Sequence, residues 1–207
     1  MNPFEKSLSQ FFDQRQLQRI QTVRVGIGGA GGIGSNVAIL LTRCGFRSFT
    51  LLDHDVIEPS NLNRQQYYLP EIGQSKVAVL KKRLLKINPD LDICAHQVTW
   101  TPSAEHDYFE NCRVIVEGFD APATKKAFVE YYQPKGKHIV SASGFVGLPP
   151  ENPLPVRRIQ NMTIVGNQES PVSAHQPALA PNVTLCAAKM TEIILDLTSG
   201  LTREELE

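Results

Sequence analysis

The sequence predicts an α/β protein: a doubly wound, mainly parallel sheet with an irregular C-terminal extension and a final helix. Three observations lead there. Short apolar runs alternate with longer segments of helical period between residues 22 and 144. A glycine-rich stretch, GAGGIG at 29–34, stands between the first apolar run and the first helical segment. An acid, Asp53, comes at the end of the second apolar run, 19 residues beyond Gly34. Strand, glycine turn, helix and acid at those spacings mark a Rossmann-like fold.

The elements follow in order. Phe4, Leu8, Phe11, Phe12, Leu17 and Ile20 recur at near-helical steps, so residues 4–21 predict one polar helix. VRVGIGGAGGIGS (23–35) predicts a buried strand that breaks into the glycine turn. NVAILLTRCG (36–45) is apolar on most sides, as a helix packed under a sheet is, and Gly45 is its stop. FTLLDHD (49–55) predicts the second strand, and residues 56–73, with Pro59 and Pro70, a loop. SKVAVLKKRLLKINP (75–89) is an amphipathic helix with Val77, Leu80, Leu84 and Ile87 on one face, ended by Pro89.

LDICAHQVTW (91–100) predicts a strand, PSAEHDYFENC (102–112) a short helix, and RVIVEGFD (113–120) a buried parallel strand. APATKKAFVEYYQP (121–134) predicts a helix with Pro122 near its start, and KHIVSASG (137–144) a further strand. After Gly144 the character changes. FVGLPPENPLPVRR (145–158) predicts a proline-rich loop, 158–170 one or two short strands, 175–182 another loop, and 183–200 a closing helix with a glycine stop. No linker separates two units, so one domain is expected over 1–207: an N-terminal helix (1–21), a nucleotide-binding core (22–144) and an extension (145–207).

Lys plus Arg number 21 and Asp plus Glu 21, a net charge of zero. A balanced surface has no footprint for duplex nucleic acid or an anionic membrane, so nucleic acid is an unlikely partner. No apolar run nears the ~20 residues of a membrane span. The N-terminus lacks the apolar centre of a signal peptide, so a cytoplasmic protein is expected. Cys44, Cys94, Cys112 and Cys186 form no CxxC pair. No structural zinc is expected, and each cysteine reads as a small buried hydrophobe.

The glycines permit a tight turn whose backbone N–H groups, with the following helix N-terminus, can face phosphates. Asp53 stands where a carboxylate accepts ribose hydroxyls, which leaves NAD, FAD and ATP open. The run that follows, DHDVIEPSNLNRQQ at 53–66, is unusual. A hydride-transfer site wants a flat apolar slot and one acid–base group. Here Asn61, Arg64, Gln65 and, at the next helix, Lys76 offer cations and amide donors at one sheet edge. Such groups suit a triphosphate whose charge must be neutralised while one phosphorus is attacked. Asp120 comes to the same edge, where one carboxylate can hold Mg²⁺ between phosphate oxygens. His54 and Glu58 are weaker candidates. Glu117 is either a second metal-facing group or a buried acid paired with a cation.

GAGGIGS, LLDHDVIEPSNLNRQ, IGQSKV and the strand-end FD resemble the ThiF/MoeB superfamily, ATP-dependent adenylyltransferases for small β-grasp carriers related to the ubiquitin-activating enzymes. The SNLNRQ run is far more specific than the glycine fingerprint. The resemblance covers about residues 10–200, in the style of short ThiF-like proteins of thiamine biosynthesis. It implies that Gly29, Gly31 and Gly34 cradle ATP and that Asp53 binds the ribose. Asn61, Arg64, Gln65 and Lys76 would contact phosphates, Asp120 would organise Mg²⁺, and Arg15 would be the N-terminal arginine that relatives supply from a partner subunit.

The implied function is activation of the C-terminal Gly-Gly of a ThiS-like sulfur carrier by a homodimer. The alternatives are adenylation of a tRNA nucleoside or small molecule, and a catalytically silent nucleotide- or carrier-binding module. Relatives often have Asp-Asn where this chain has Asp120-Ala121, and two CxxC zinc pairs where it has none. Some relatives carry an acyl-accepting cysteine. Cys186 is the late cysteine here, but its helical apolar setting reads as core.

Overall fold

A computed structural model of the chain describes residues 2–103, 105–143, 154–166 and 178–200. The apolar run after residue 23 forms strand β1 (Arg24–Gly28), and its glycine turn opens helix α3 (Gly32–Arg43). Two helices precede them, α1 (Pro3–Leu8) and α2 (Gln14–Thr22). The single helix expected over 4–21 is therefore broken. Asp13 accepts the Gln16 N–H at 2.8 Å while Gln16 returns a bond to the Asp13 N–H at 3.1 Å. This capping box starts a second helix where the periodicity suggested continuity. Phe11, counted there as an apolar-face residue, is 77% exposed.

Then come β2 (Ser48–Leu52), α4 (Lys76–Ile87), β3 (Asp92–His96), β4 (Val114–Glu117), α5 (Pro122–Tyr132) and β5 (His138–Ala142). No helix forms over the described part of 102–112, against expectation. Asp107 takes the Phe109 N–H and Tyr132 hydroxyl, Lys135 pairs with it, and Ser103 offers its carbonyl to the Tyr131 hydroxyl. Bonds from side chains to local backbone compete with helix formation. The short strands expected near 158–170 form a hairpin, β6 (Val156–Ile159) and β7 (Met162–Val165), which begins inside the segment read as loop. Helix α6 (Ala180–Ser199) also begins early, with Pro181 in its first turn, where it needs no N–H, and Gly200 beyond its end at φ +70°. Most of the proline-rich loop, and residues 175–177 of the second loop, lie outside the described residues.

The seven strands make one sheet in the order β3-β2-β1-β4-β5-β7-β6, parallel except for β6. Helices α2, α3, α4 and α6 close one face around Ile27, Val37, Leu80 and Met190. On the other face α5 and the 97–112 crossover enclose Trp100, Phe109, Phe128 and Tyr132, with Trp100 and Phe128 edge-to-face at 5.0 Å. The chain winds outward from β1 through β2 to β3, then returns to place β4 on the other side of β1. That reversal leaves a crevice beyond the carboxyl ends of β1 and β4, where ligands bind in sheets of this kind. The expected strands overran their true ends. Asp53 stands one residue past β2, and Glu117, not Asp120, closes β4.

Cys112 and Cys186 are buried and Cys44 is half-buried, but Cys94 is exposed, contrary to its expected core position. It lies on β3, the edge strand, where the sheet has no second neighbour.

Candidate functional site

The crevice is built on the glycine turn. Gly29 has φ +86°, and a Cβ there would stand 2.6 Å from the Gly118 carbonyl oxygen. A Cβ on Gly34 would stand 1.8 Å from the Gly29 oxygen. Both positions exclude a side chain so that the turn can pack against its own helix and the segment after β4. Gly31 is different. Among the described residues a Cβ there would meet only Gln65 Nε2, at 3.8 Å, so they leave the space above it open. Gly31 is also the N-cap of α3, and no side chain caps that helix. An uncapped N-terminus under open space presents N–H donors and the positive end of a helix dipole to a ligand.

Asp53 is buried against this turn. Its Oδ2 accepts the Ala30 N–H at 2.6 Å and its Oδ1 the Asp55 N–H at 2.8 Å. Tyr67 pins the same residue from the other side, donating to the Ala30 carbonyl at 2.7 Å. Burial, then the nearby Asp53 charge, holds the Tyr67 phenol well above its ordinary pKa, so it remains a donor. Each Asp53 oxygen retains a lone pair for a further donor, as ribose recognition requires.

The Asn-Arg-Gln cluster divides by role. Asn61 is buried and accepts the Glu58 N–H at 3.1 Å, so it shapes the loop itself. Arg64 lays its stem over the start of α3, with Cγ 3.7 Å from a Cβ on Gly32. Its Nη1 donates to the Ser60 carbonyl at 2.9 Å and to Asn63 Oδ1 at 2.7 Å, and among the described residues no acid pairs with it. A cation beside the positive end of a helix is unfavourable until an anion joins it. Gln65 is buried over Gly31, and among the described residues its Oε1 has no hydrogen-bond partner. A buried acceptor without a donor costs about 1–3 kcal/mol, which a ligand can relieve.

The residues that weld this loop to α3 escaped the sequence reading. Asn36 Nδ2 donates to the Gly32 carbonyl at 2.7 Å and the Arg64 carbonyl at 3.0 Å, and its Oδ1 accepts from Gln66 at 2.7 Å. The Ser35 hydroxyl accepts the Gln66 N–H at 3.2 Å. The signal was available: Ser35 and Asn36 are polar residues at the start of an apolar helix.

Lys76 opens α4 but is not a free cation. Its Nζ donates to Asp55 Oδ2 at 2.7 Å, and Asp55 also meets His54 Nε2 at 3.1 Å. Asp120 is exposed on the turn after β4, and among the described residues it makes no hydrogen bond or ion pair. Glu117 proves to be the buried acid paired with a cation. Lys125 Nζ donates to both its oxygens, at 2.8 and 3.0 Å.

Arg15 does not come to the turn. Leu17 packs at Gly45, beyond the far end of α3, and Arg19 donates to the Ser199 carbonyl at the far end of α6, whose Val183 lies against Gly32. Ser199 stands sixteen residue steps beyond Val183 on α6, about 24 Å along the helix axis. Arg15, one helical turn from Arg19, belongs to the opposite edge of the sheet from the glycine turn of its own chain. Cys186 is fully buried and its thiol is pushed up to about 12 by desolvation, which removes it as a nucleophile.

Gly29, Gly31, Gly34, Asp53, Arg64 and Gln65 thus converge, with Asn61 beneath them, Lys76 beside them through Asp55, and the Asp120 turn seated on Gly29. Fold and site together define a doubly wound α/β domain with an uncapped glycine turn at its switch point. Within that class the chain belongs to the ThiF family, whose model matches residues 4–150. Ubiquitin-like modifier-activating enzyme 5 of Caenorhabditis elegans is 36% identical over 112 residues, 53% of this chain and 27% of that one. An adenylyltransferase and sulfurtransferase of Emericella nidulans is 36% identical over 135 residues, 65% of this chain and 28% of that protein. The match therefore spans about a quarter of those relatives' length.

Among solved structures, the E. coli tRNA N6-threonylcarbamoyladenosine dehydratase in complex with ATP superposes with a TM-score of 0.84 at 19% identity, covering 94% of this chain and 93% of that one. E. coli MccB with AMPCPP and MccA gives 0.71 at 20% identity, over 90% and 58%. These likenesses establish the fold. No helix of the described residues is long and apolar enough to cross a membrane.

Proposed function

We propose that this chain is an ATP-dependent adenylyltransferase that activates the C-terminal Gly-Gly carboxylate of a ThiS-like sulfur carrier. The observation that carries the proposal is the combination of an uncapped α3 N-terminus, open space over Gly31 and an Arg64 with no acid partner among the described residues. A polyphosphate satisfies all three at once, and membership of the ThiF family supports ATP as its source.

In this reading the glycine turn and the first N–H groups of α3 receive the phosphates, Asp53 takes the ribose hydroxyls, and Arg64 and Gln65 close over them. Lys76 reaches the phosphates by exchanging its bond to Asp55. Asp120, exposed beside the turn and with neither oxygen bonded among the described residues, fits a magnesium ligand, and an ion held there would neutralise phosphate charge. The carrier carboxylate attacks the α-phosphorus, the bond to the bridging oxygen breaks, and pyrophosphate leaves with that electron pair. No general base is needed, because the carboxylate is ionised at neutral pH. The chain's work is positioning and charge stabilisation. Arg15 takes part only from a second copy, so the reading includes a homodimer.

The test is ATP–pyrophosphate exchange with Mg²⁺, with and without a carrier ending in Gly-Gly. Exchange that needs the carrier is expected. Exchange driven instead by tRNA or a small carboxylate would keep the chemistry and replace the substrate. ATP binding without exchange under any acceptor would reduce the chain to a binding module.

A further inference from the structure

The most heavily bonded buried acid in the crevice wall does not face the ligand space. Glu117, the last residue of β4, is fully buried, and its carboxylate receives four donor contacts. Lys125 Nζ, from the first turns of α5, donates to Oε1 at 3.0 Å and to Oε2 at 2.8 Å. The Ser141 hydroxyl of β5 donates to Oε2 at 2.6 Å, and the Phe119 backbone N–H to Oε1 at 2.9 Å. Lys125 Nζ reaches on to the Ala142 carbonyl at 3.2 Å. One carboxylate thereby ties together the ends of β4 and β5, the start of α5 and the turn between β4 and α5.

That turn has two neighbours that matter. Its Gly118 N–H donates to the Gly28 carbonyl at 2.8 Å, and its Gly118 oxygen is the atom that excludes a side chain from Gly29. Two residues on stands Asp120, with no bond of its own among the described residues to hold it. The helix that follows holds the turn only through its backbone, the Lys125 N–H donating to the Ala121 carbonyl at 3.0 Å, because Ala121, its N-cap, has no side chain to cap with. The conformation of 118–121 is therefore set by Glu117 through the Phe119 N–H, by the Gly28 carbonyl, and by the Phe119 ring packed on Phe128 at 5.3 Å between centroids.

We infer that Glu117 is a positioning residue. With Lys125 and Ser141 it clamps the 118–121 turn, so that Asp120 is held against the glycine turn at the place where a divalent cation joins the phosphates. The clamp stands in for the side-chain cap that Ala121 cannot provide. A low-dielectric site strengthens such a network when every member is satisfied. Lys125 is correspondingly not a phosphate ligand, since Glu117 and the Ala142 carbonyl take up its donors. The inference rests on the nucleotide reading of the crevice, so its test needs a measurement that does not.

Two measurements on Glu117→Gln and Ser141→Ala serve. Ser141→Ala keeps the ion pair, so it remains informative if Glu117→Gln folds poorly. The first is amide hydrogen exchange of the peptide spanning 117–121 without ligand. Exchange about tenfold or more faster in Glu117→Gln, and less so in Ser141→Ala, is expected. Unchanged exchange would overturn the clamp.

The second is ATP affinity with and without Mg²⁺. The wild type is expected to bind ATP more tightly with the metal. Glu117→Gln should lose about tenfold of that tightening while metal-free affinity stays within about twofold. A variant with faster exchange but normal magnesium tightening would show that Glu117 does not position Asp120. Equal loss of affinity with and without metal would mark a general structural role instead. Failure of the wild type to bind ATP would sink the nucleotide reading, while the exchange experiment would still decide the clamp.

Discussion

The two edges of the sheet differ in how many of their polar groups find partners. At the amino edge, most partners are found within the chain, although Gln21 Nε2 has none among the described residues. Glu5, fully buried, pairs with Arg47 and accepts from Asn88 at 3.1 Å, and Asn88 in turn accepts from Asn2 at 2.6 Å. Asp13 and Gln16 cap each other, Arg24 pairs with Asp92, and Arg19 donates to the Ser199 carbonyl of α6. At the carboxyl edge, α3 starts uncapped, Gln65 Oε1 lacks a donor, and neither Arg64 nor Asp120 has an ionic partner among the described residues. The same physics governs both ends, since a buried polar group is costly unless satisfied. The carboxyl edge also holds internally paired groups, Lys76 with Asp55 and Glu117 with Lys125, so the difference lies in the polar groups left over around the start of α3.

The contrast breaks most severely at Gly34. Gly34→Ala drives a Cβ into the Gly29 oxygen, backbone against backbone, which neither segment can relieve by a side-chain rotation. A loss of about 3 kcal/mol or more, with loss of ATP binding, is expected from urea unfolding and calorimetric titration. Gly31→Ala, into open space, should cost little stability by comparison and weaken binding alone.

Glu5→Gln tests the closed edge. Removing one partner of a buried pair costs about 3–5 kcal/mol, and the one-third exposure of Arg47 reduces this to about 2–3 kcal/mol. Metal-free ATP affinity should not change. Burial alone would raise the Glu5 pKa, but the bonds from Arg47 and Asn88 outweigh it and hold the group below its ordinary 4.5. A depressed carboxylate adds stability above its unfolded pKa and loses it as pH falls through the folded value. Wild-type stability should therefore drop more steeply below about pH 4.5 than that of Glu5→Gln, as acid titrations of the unfolding midpoint would reveal.

Arg64→Ala tests the open edge. With no acid partner among the described residues, the side chain adds little to folding, so stability should stay within about 0.5 kcal/mol. ATP affinity should fall by about tenfold or more, the scale of a lost charge-assisted phosphate contact. Loss of stability with normal affinity would reverse the assignment. The smallest effect is at the thiols. Cys94 should react with iodoacetamide in the native state without loss of ATP binding, while Cys186, buried and with its thiol pushed up to about 12, should react only on unfolding.

Much of the fold was legible because its signals are local. The glycine turn, the acid after β2 and the helical face of Val77, Leu80 and Leu84 each depend on residues within a few turns of one another. Failures came where a competing local bond was invisible in the periodicity. Asp13 restarted a helix, and Asp107 captured a segment that had helical spacing. Cys94 failed for another reason, since exposure on an edge strand depends on sheet order.

The sequence by itself determined the doubly wound core, the place of the glycine turn and the residue types brought to its edge. The reason is that backbone conformation and hydrophobic period are set by near neighbours. Only the tertiary structure decided which of those polar groups were already engaged. Lys76 is held by Asp55, Glu117 by Lys125 and Ser141, and Arg15 lies at the far edge, whereas Arg64 and Asp120 have no such partner among the described residues. An ion pair or an orphaned acceptor is a relation through space between residues distant in the chain, and it comes into being only when the strands take their order.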